Sequence, residues 1–222
     1  MAFPRLDARV YARYLEGSGH VRPAGALAGS LSIEQQVARI ETSEECRRSL
    51  TIPASRAAEE KCIADVEKYG LHVVNVMADD EGPGFAYSVG LYRSFHHPED
   101  IVVGLRREVM HDVLNDAATR VRSGQRYEAG ALSDEFLEGF ACTFRAVQGR
   151  LYDAYLGLAN WFNEWTSYPA VQLVYPDREH RWPWDAEASE AFRRNQPDLA
   201  TADVPDWARD AGKRIVAADD VH

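Results

Sequence analysis

Phe85-Ala86-Tyr87-Ser88-Val89-Gly90-Leu91 alternates without a break. Phe85, Tyr87, Val89 and Leu91 fall on one face, and Ala86, Ser88 and Gly90 on the other. Strand side chains point alternately to the two faces of a sheet, so this pattern is a β-strand with one large apolar face and one small-residue face. Upstream, Leu71-His72-Val73-Val74-Asn75-Val76-Met77 is rich in β-branched residues and reads as a second strand. The loop between them, Ala78-Asp79-Asp80-Glu81-Gly82-Pro83-Gly84, is built of turn formers, so an antiparallel pair is expected.

Working outward, residues 55–69 carry Ala58, Cys62, Ile63, Ala64 and Val66 at helical spacing. Gly70 then stands where a left-handed C-terminal cap belongs. Strands are expected over Ile101–Leu105, Phe140–Val147 and Ala170–Tyr175. Helices are expected over Arg107–Ser123, Leu151–Phe162 and, more polar, Glu187–Arg194. This order predicts an α+β domain, a mixed and largely antiparallel sheet with helices packed on it, over residues 56–200. Residues 1–55 read as an N-terminal helical extension and linker, with helices at 7–16 and from Ser32. Residues 201–222 read as an acidic C-terminal tail with a weak helix near Trp207.

Charge narrows the function. The chain carries a formal net charge of −10. Residues 1–58 balance to +2 and residues 59–222 to −12. An acidic main domain repels phosphate backbones and anionic membranes, so neither nucleic acid nor membrane is expected as a partner. No signal peptide and no apolar run of bilayer length is visible, which places the expected location in the cytoplasm. Cys46, Cys62 and Cys142 are odd in number and form no C-x-x-C pair, which fits a reducing compartment and buried thiols.

Several blocks, in order, carry a family resemblance. They are Gly70-Leu71-His72-Val73-Val74, Gly82 through Leu91, His97-Pro98-Glu99, Val103-Gly104-Leu105 and Leu114-Asn115. The closing blocks are Gln172-Leu173-Val174-Tyr175-Pro176-Asp177-Arg178 and Trp182-Pro183-Trp184. The chain resembles the bacterial family of domains of unknown function numbered 4262 over roughly residues 57–200. The resemblance implies no activity. Its closing pattern runs Gly-Arg-Phe-Pro-Trp, where this chain has Glu179-His180-Arg181-Trp182 ahead of Pro183-Trp184.

Four constellations could carry chemistry. Asp79-Asp80-Glu81 beside two glycines offers oxygen ligands to a hard cation, although the spacing is not that of an EF-hand, and a solvated hairpin loop explains it as well. In His96-His97-Pro98-Glu99-Asp100, His97 and Glu99 share a side of an extended segment. With His72 they could form a two-His, one-carboxylate site; otherwise His97-Pro98 is a turn with Glu99 and Asp100 solvated. Ala86/Ser88/Gly90 leaves room for a ligand or a packed helix. Trp161, Phe162, Trp165, Tyr168, Trp182 and Trp184, with Arg178 and Arg181 nearby, suit a recognition groove or a core.

Three functions remain open. The leading one is a non-catalytic binding or accessory module, immunity-type or regulatory, engaging a protein or peptide through Tyr87, Ser88, Trp161, Trp165, Arg178, Trp182 and Trp184, with no cofactor. The alternative is an enzyme, a metal-assisted hydrolase or a peptide-modification accessory, using His72, His97, Glu99 and Asp177. The second alternative is a small-molecule sensor with a pocket beside the small-residue strand.

Overall fold

The computed structural model describes residues 53–80, 82–164 and 167–205. The helices expected at 7–16 and from Ser32, residues Glu81 and Trp165, and the tail beyond 205 lie outside the described residues. The chain divides into two compact units at His72–Val73.

In the first unit, helix α1 (Pro53–Tyr69) buries Cys62, Ile63 and Val66. It stops at Gly70, whose φ of 84° is left-handed and whose N–H donates to the Val66 carbonyl at 2.8 Å. A glycine takes that conformation without the Cβ clash other residues meet.

Strands β1 (His72–Val76), β2 (Phe85–Val89), β3 (Glu99–Val103), β4 (Leu132–Leu137), β5 (Phe140–Ala146) and β6 (Ala170–Val174) form one six-stranded sheet, which apart from His72 belongs to the second unit. Its order is β1-β2-β3-β6-β5-β4. β2–β3, β4–β5 and β5–β6 run antiparallel, and β3–β6 runs parallel. The mixed sheet with helices around it is the α+β architecture expected. The central strands β2, β3 and β6 are buried along their whole length, whereas the outer strand β4 is largely exposed.

Helix α3 (Arg107–Arg122) lies on one face and buries Met110, Val113, Leu114, Ala117, Ala118 and Val121. They pack with Ala86, Val102, Phe144, Val171 and Leu173. The small side chain of Ala86 therefore admits a helix, one of the two roles its face allowed. Tyr127 stacks on Phe144 at 4.8 Å, and Phe136 meets both edge-on. A fully buried large side chain such as Phe144 contributes about 2 kcal/mol. On the other face, helices α4 (Tyr152–Tyr155) and α5 (Gly157–Phe162) cover Phe85 and Tyr87. Residues 196–202 continue that cover: the Gln172 side chain bonds Pro197 O and Leu199 N, and the Gln196 side chain bonds Tyr175 through both its N–H and its carbonyl.

Three local differences from the sequence reading have physical causes. The single helix expected over Leu151–Phe162 is a 3-10 turn (Gly149–Leu151) followed by two short helices. The break at Leu156, with φ −127° and ψ 31°, precedes Gly157, a poor helix former. Helix α2 (Leu91–Phe95) replaces the end of the alternating strand. β4 was not expected, because Ser133-Asp134-Glu135 hides a strand whose outer side faces water.

Gly104 follows β3 with φ 84°, donates to Gly84 O at 2.8 Å and accepts at 2.7 Å from Nδ2 of Asn195, the last residue of helix α6 (Glu190–Asn195). A Cβ there would overlap the Asn195 backbone. Gly104→Ala is expected to lower the unfolding free energy by about 3 kcal/mol in a denaturant titration. A loss below about 1 kcal/mol would mean that α6 moves aside without cost.

Candidate functional site

Glu99 opens β3 with its side chain fully buried. The carboxylate accepts from Ser88 Oγ at 2.6 Å, Gly90 N at 2.9 Å, Tyr92 N at 3.2 Å and Leu91 N at 3.3 Å. These backbone donors belong to the first turn of α2, so Glu99 caps a helix that lies before it in sequence. Gly90 makes the turn with φ 106°. Ser88 Oγ also accepts from Asp100 N at 2.8 Å. Burial outweighs the donated hydrogen bonds and pushes the Glu99 carboxyl up to about 7.

His97 and Asp100 are sealed beside it. The Nδ1 atom of His97 lies 2.7 Å from Pro98 O, and its Nε2 lies 3.0 Å from Tyr127 N. A carbonyl only accepts and an amide N–H only donates, so Nδ1 carries the proton, Nε2 accepts, and the ring is neutral. Burial lowers its pKa in agreement. Its Nδ1 is 3.8 Å from Asp100 Oδ1. Neither Asp100 oxygen has a hydrogen-bond partner among the described residues. Burial, and then the Glu99 charge, raise the Asp100 carboxyl well above its ordinary range, which favours its neutral form. Glu99 and Asp100 are thus strand residues in the interior, not the solvated pair that a His97-Pro98 turn would leave.

The other sequence candidates scatter. His72 Nδ1 pairs with Asp65 Oδ2 at 2.7 Å. Among the described residues no group of three or more His, Cys, Asp or Glu is placed to hold a metal ion, and His72, His97 and Glu99 are not gathered as one. Burial pushes the Cys142 thiol up to about 12, so it packs as a small hydrophobe. Phe162 and Tyr168 are core residues, and Trp161 lies half-buried beside Phe162. Trp182 and Trp184 stack at 5.3 Å and 8°. The Arg145 guanidinium sits 4.5 Å over Trp184 and is held by the two hydrogen bonds it donates to the Asp198 carboxylate. Trp184 stays 42% exposed.

Two concavities lie among the described residues. One is a groove of about 450 Å³ floored by Leu105, Leu137, Phe140, Tyr175, Pro176 and Phe192, with Glu138, Asp177 and Arg178 on its rim. The other is a cavity of about 240 Å³ between β2 and α4 that includes Tyr87. Of the candidates, Asp177 and Arg178 reach the groove and Tyr87 the cavity, while Ser88 belongs to the buried cluster. The apolar groove floor escaped the sequence reading because Leu137, Phe140 and Phe192 look like ordinary core residues.

The sequence profile of a family described as Domain of unknown function (DUF4262) matches residues 65–189. The chain belongs to the DUF4262 family. No curated protein and no solved structure matches it. The matched span of this DUF4262 protein contains the buried cluster and most of both concavities.

The DUF4262 closing block also explains its own departure. Counted back from Pro183-Trp184, the family's glycine falls on His180, whose φ is 60°. The loop is tight: Asp177 N donates to Arg181 O at 2.8 Å, and His180 N to Asp177 O at 3.0 Å. Burial works against the Asp177 charge, but hydrogen bonds from Arg181 and Glu179 hold its carboxyl below its ordinary range. A glycine suits the left-handed residue, and here a histidine bears the steric cost while its ring rests 5.2 Å from Phe140.

The Glu99 carboxyl binds its proton more tightly folded than unfolded. It therefore adds stability that is present below the unfolded value of 4.5 and lost as pH rises toward 7, an effect of up to about 3 kcal/mol. His97 has the opposite sign, since its depressed pKa withdraws stability as pH falls below 6.5. Urea denaturation of parent and Glu99→Gln at pH 5 and pH 7.5 is expected to show less loss, or more gain, with rising pH in the variant. Parallel profiles would show that Glu99 is charged throughout.

Proposed function

We propose that this DUF4262 protein is a non-catalytic binding module of the bacterial cytoplasm. In this reading it seats an apolar, basic segment of a partner protein in the groove beside the β4–β5 hairpin. The observation that carries the proposal is the groove's composition, an apolar floor open to solvent under an acidic hairpin. From Leu132 to Phe144 the hairpin carries Asp134, Glu135 and Glu138 and no basic residue. A Lys- or Arg-bearing segment therefore gains attraction along the rim and buries its apolar side chains on Phe140, Tyr175 and Phe192. Arg178 on the same rim admits one acid and so sets direction. β4 is the outermost strand of its side of the sheet, so an extended segment can also lie along its edge.

Catalysis by the buried cluster receives less support. Ser88, His97 and Glu99 are fully enclosed, and their polar atoms are already committed to one another and to backbone. A catalytic group must reach the reacting atoms.

Selection of a random peptide library on the full chain tests the proposal. The expected binders combine apolar residues with Lys or Arg, and lose about tenfold in affinity with Glu138→Lys and with Phe140→Ser. Glu138 is exposed, so its variant keeps the fold. Binders without that composition, or equally tight on Glu138→Lys, would remove the groove from consideration.

A further inference from the structure

The cavity between β2 and α4 has a different chemistry from the groove. Its walls include the rings of Phe85, Tyr87 and Tyr155, and Asp79 and Asp153 supply carboxylates. No Lys, Arg or His lines it among the described residues. We propose that this cavity binds a small organic cation carrying an alkylammonium group.

Each wall is set in place before a ligand arrives. The rings of Phe85 and Tyr155 lie 5.1 Å apart at 59°, and those of Phe85 and Tyr87 lie 6.3 Å apart. Tyr87 Oη accepts from Leu158 N at 3.1 Å, which fixes its ring against α5. Asp79 is bound reciprocally to Gly82: Gly82 N donates to Asp79 Oδ1 at 3.0 Å, and Asp79 N donates to Gly82 O at 3.1 Å. Asp153 Oδ1 accepts from Asn160 Nδ2 at 3.2 Å. Two aspartates and three aromatic residues thus line one space, and the contacts above hold their side chains in place.

Those groups select by charge and by size. Ring faces carry negative potential and attract a cation, most of all where water is excluded. The carboxylates add Coulombic attraction and would repel an anion. A neutral apolar ligand would gain nothing from the charge of the two carboxylates. A bare metal ion prefers several oxygen ligands, and the aromatic walls provide none. At about 240 Å³ the space equals roughly eight water volumes, which suits an ammonium head with a short alkyl chain. Met77, 66% exposed, lies at the same cavity and offers apolar contact to that chain.

The site shares no residue with the groove, so the two proposals stand or fall separately. The test is an NMR titration of the full chain, with its tyrosines and glycines labelled, using n-butylammonium chloride as the probe and n-butanol as its neutral counterpart. Saturable shifts at Tyr87, Tyr155 and the Gly82 amide are expected with the ammonium and not with the alcohol. Asp153→Asn and, separately, Asp79→Asn should each weaken binding about tenfold with an otherwise unchanged spectrum. Glu138→Lys, on the groove rim, should leave it as in the parent. The proposal is overturned if the ammonium gives no saturable shift, if the alcohol binds as well, or if both folded carboxylate variants bind like the parent.

Discussion

The Glu99 carboxylate accepts four hydrogen bonds in the interior, and the geometry around the end of β2 follows from them. The chain has just left one central strand at Val89 and must re-enter the sheet at Glu99 beside it. Between those points it makes a left-handed turn at Gly90, five helical residues and a second left-handed turn at His96. A helix that short does not hold itself together, because its first-turn N–H groups have no partners of their own. Glu99 supplies them, and Ser88 links that carboxylate to the Asp100 backbone. The return path between β2 and β3 is thereby closed by side chains that the two strands themselves carry.

The regular parts of this arrangement were legible in the sequence because period is a local property. The alternation from Phe85, the β-branched run after His72 and the apolar stripe from Met110 to Val121 each declared their element, and Gly70 declared its cap. What escaped was decided at a distance. Helix α2 has no cap in its own sequence, since its acceptor lies downstream in Glu99. β4 looks polar because only its inner side is paired with the protein. Glu99 and Asp100 read as solvated charges because their strand is covered by β6, which is remote in the chain. The same distance kept the aromatic residues apart, so Tyr168 and Phe162 became core while Trp182 and Trp184 built a platform with Arg145.

The chemistry of the domain separates into sealed and open parts. The sealed part is a cluster of two acids and a histidine in which backbone groups fix the histidine tautomer and donate to Glu99, while the Asp100 carboxyl is left without a partner among the described residues. The open parts are one apolar concavity on the side of α3 and one aromatic, acidic concavity on the side of α4. Both open sites sit where loops leave the ends of rigid strands, so their walls are supported by the sheet while their rims can differ in sequence without disturbing it. An acidic surface around both fits cationic partners in either case.

The parallel pairing of β3 with β6 sets the order in which this sheet can be completed. Glu99 lies against Ala170 and Val102 against Leu173. Everything from α3 to α5 is made between the two strands. Neighbouring strands such as β2 with β3, or β4 with β5, can meet as soon as both exist, because their loops are short. The central seam has to wait for Ala170–Val174, and it carries the larger loop-closure cost. Until β6 is made, β3 and β5 each lack the neighbour that completes the centre of the sheet. β6 is the strand that joins them, pairing with β3 on one side and β5 on the other. A nascent chain stopped before Ala170 exposes apolar strand edges to other chains, which makes the late arrival of β6 the point of greatest exposure to aggregation.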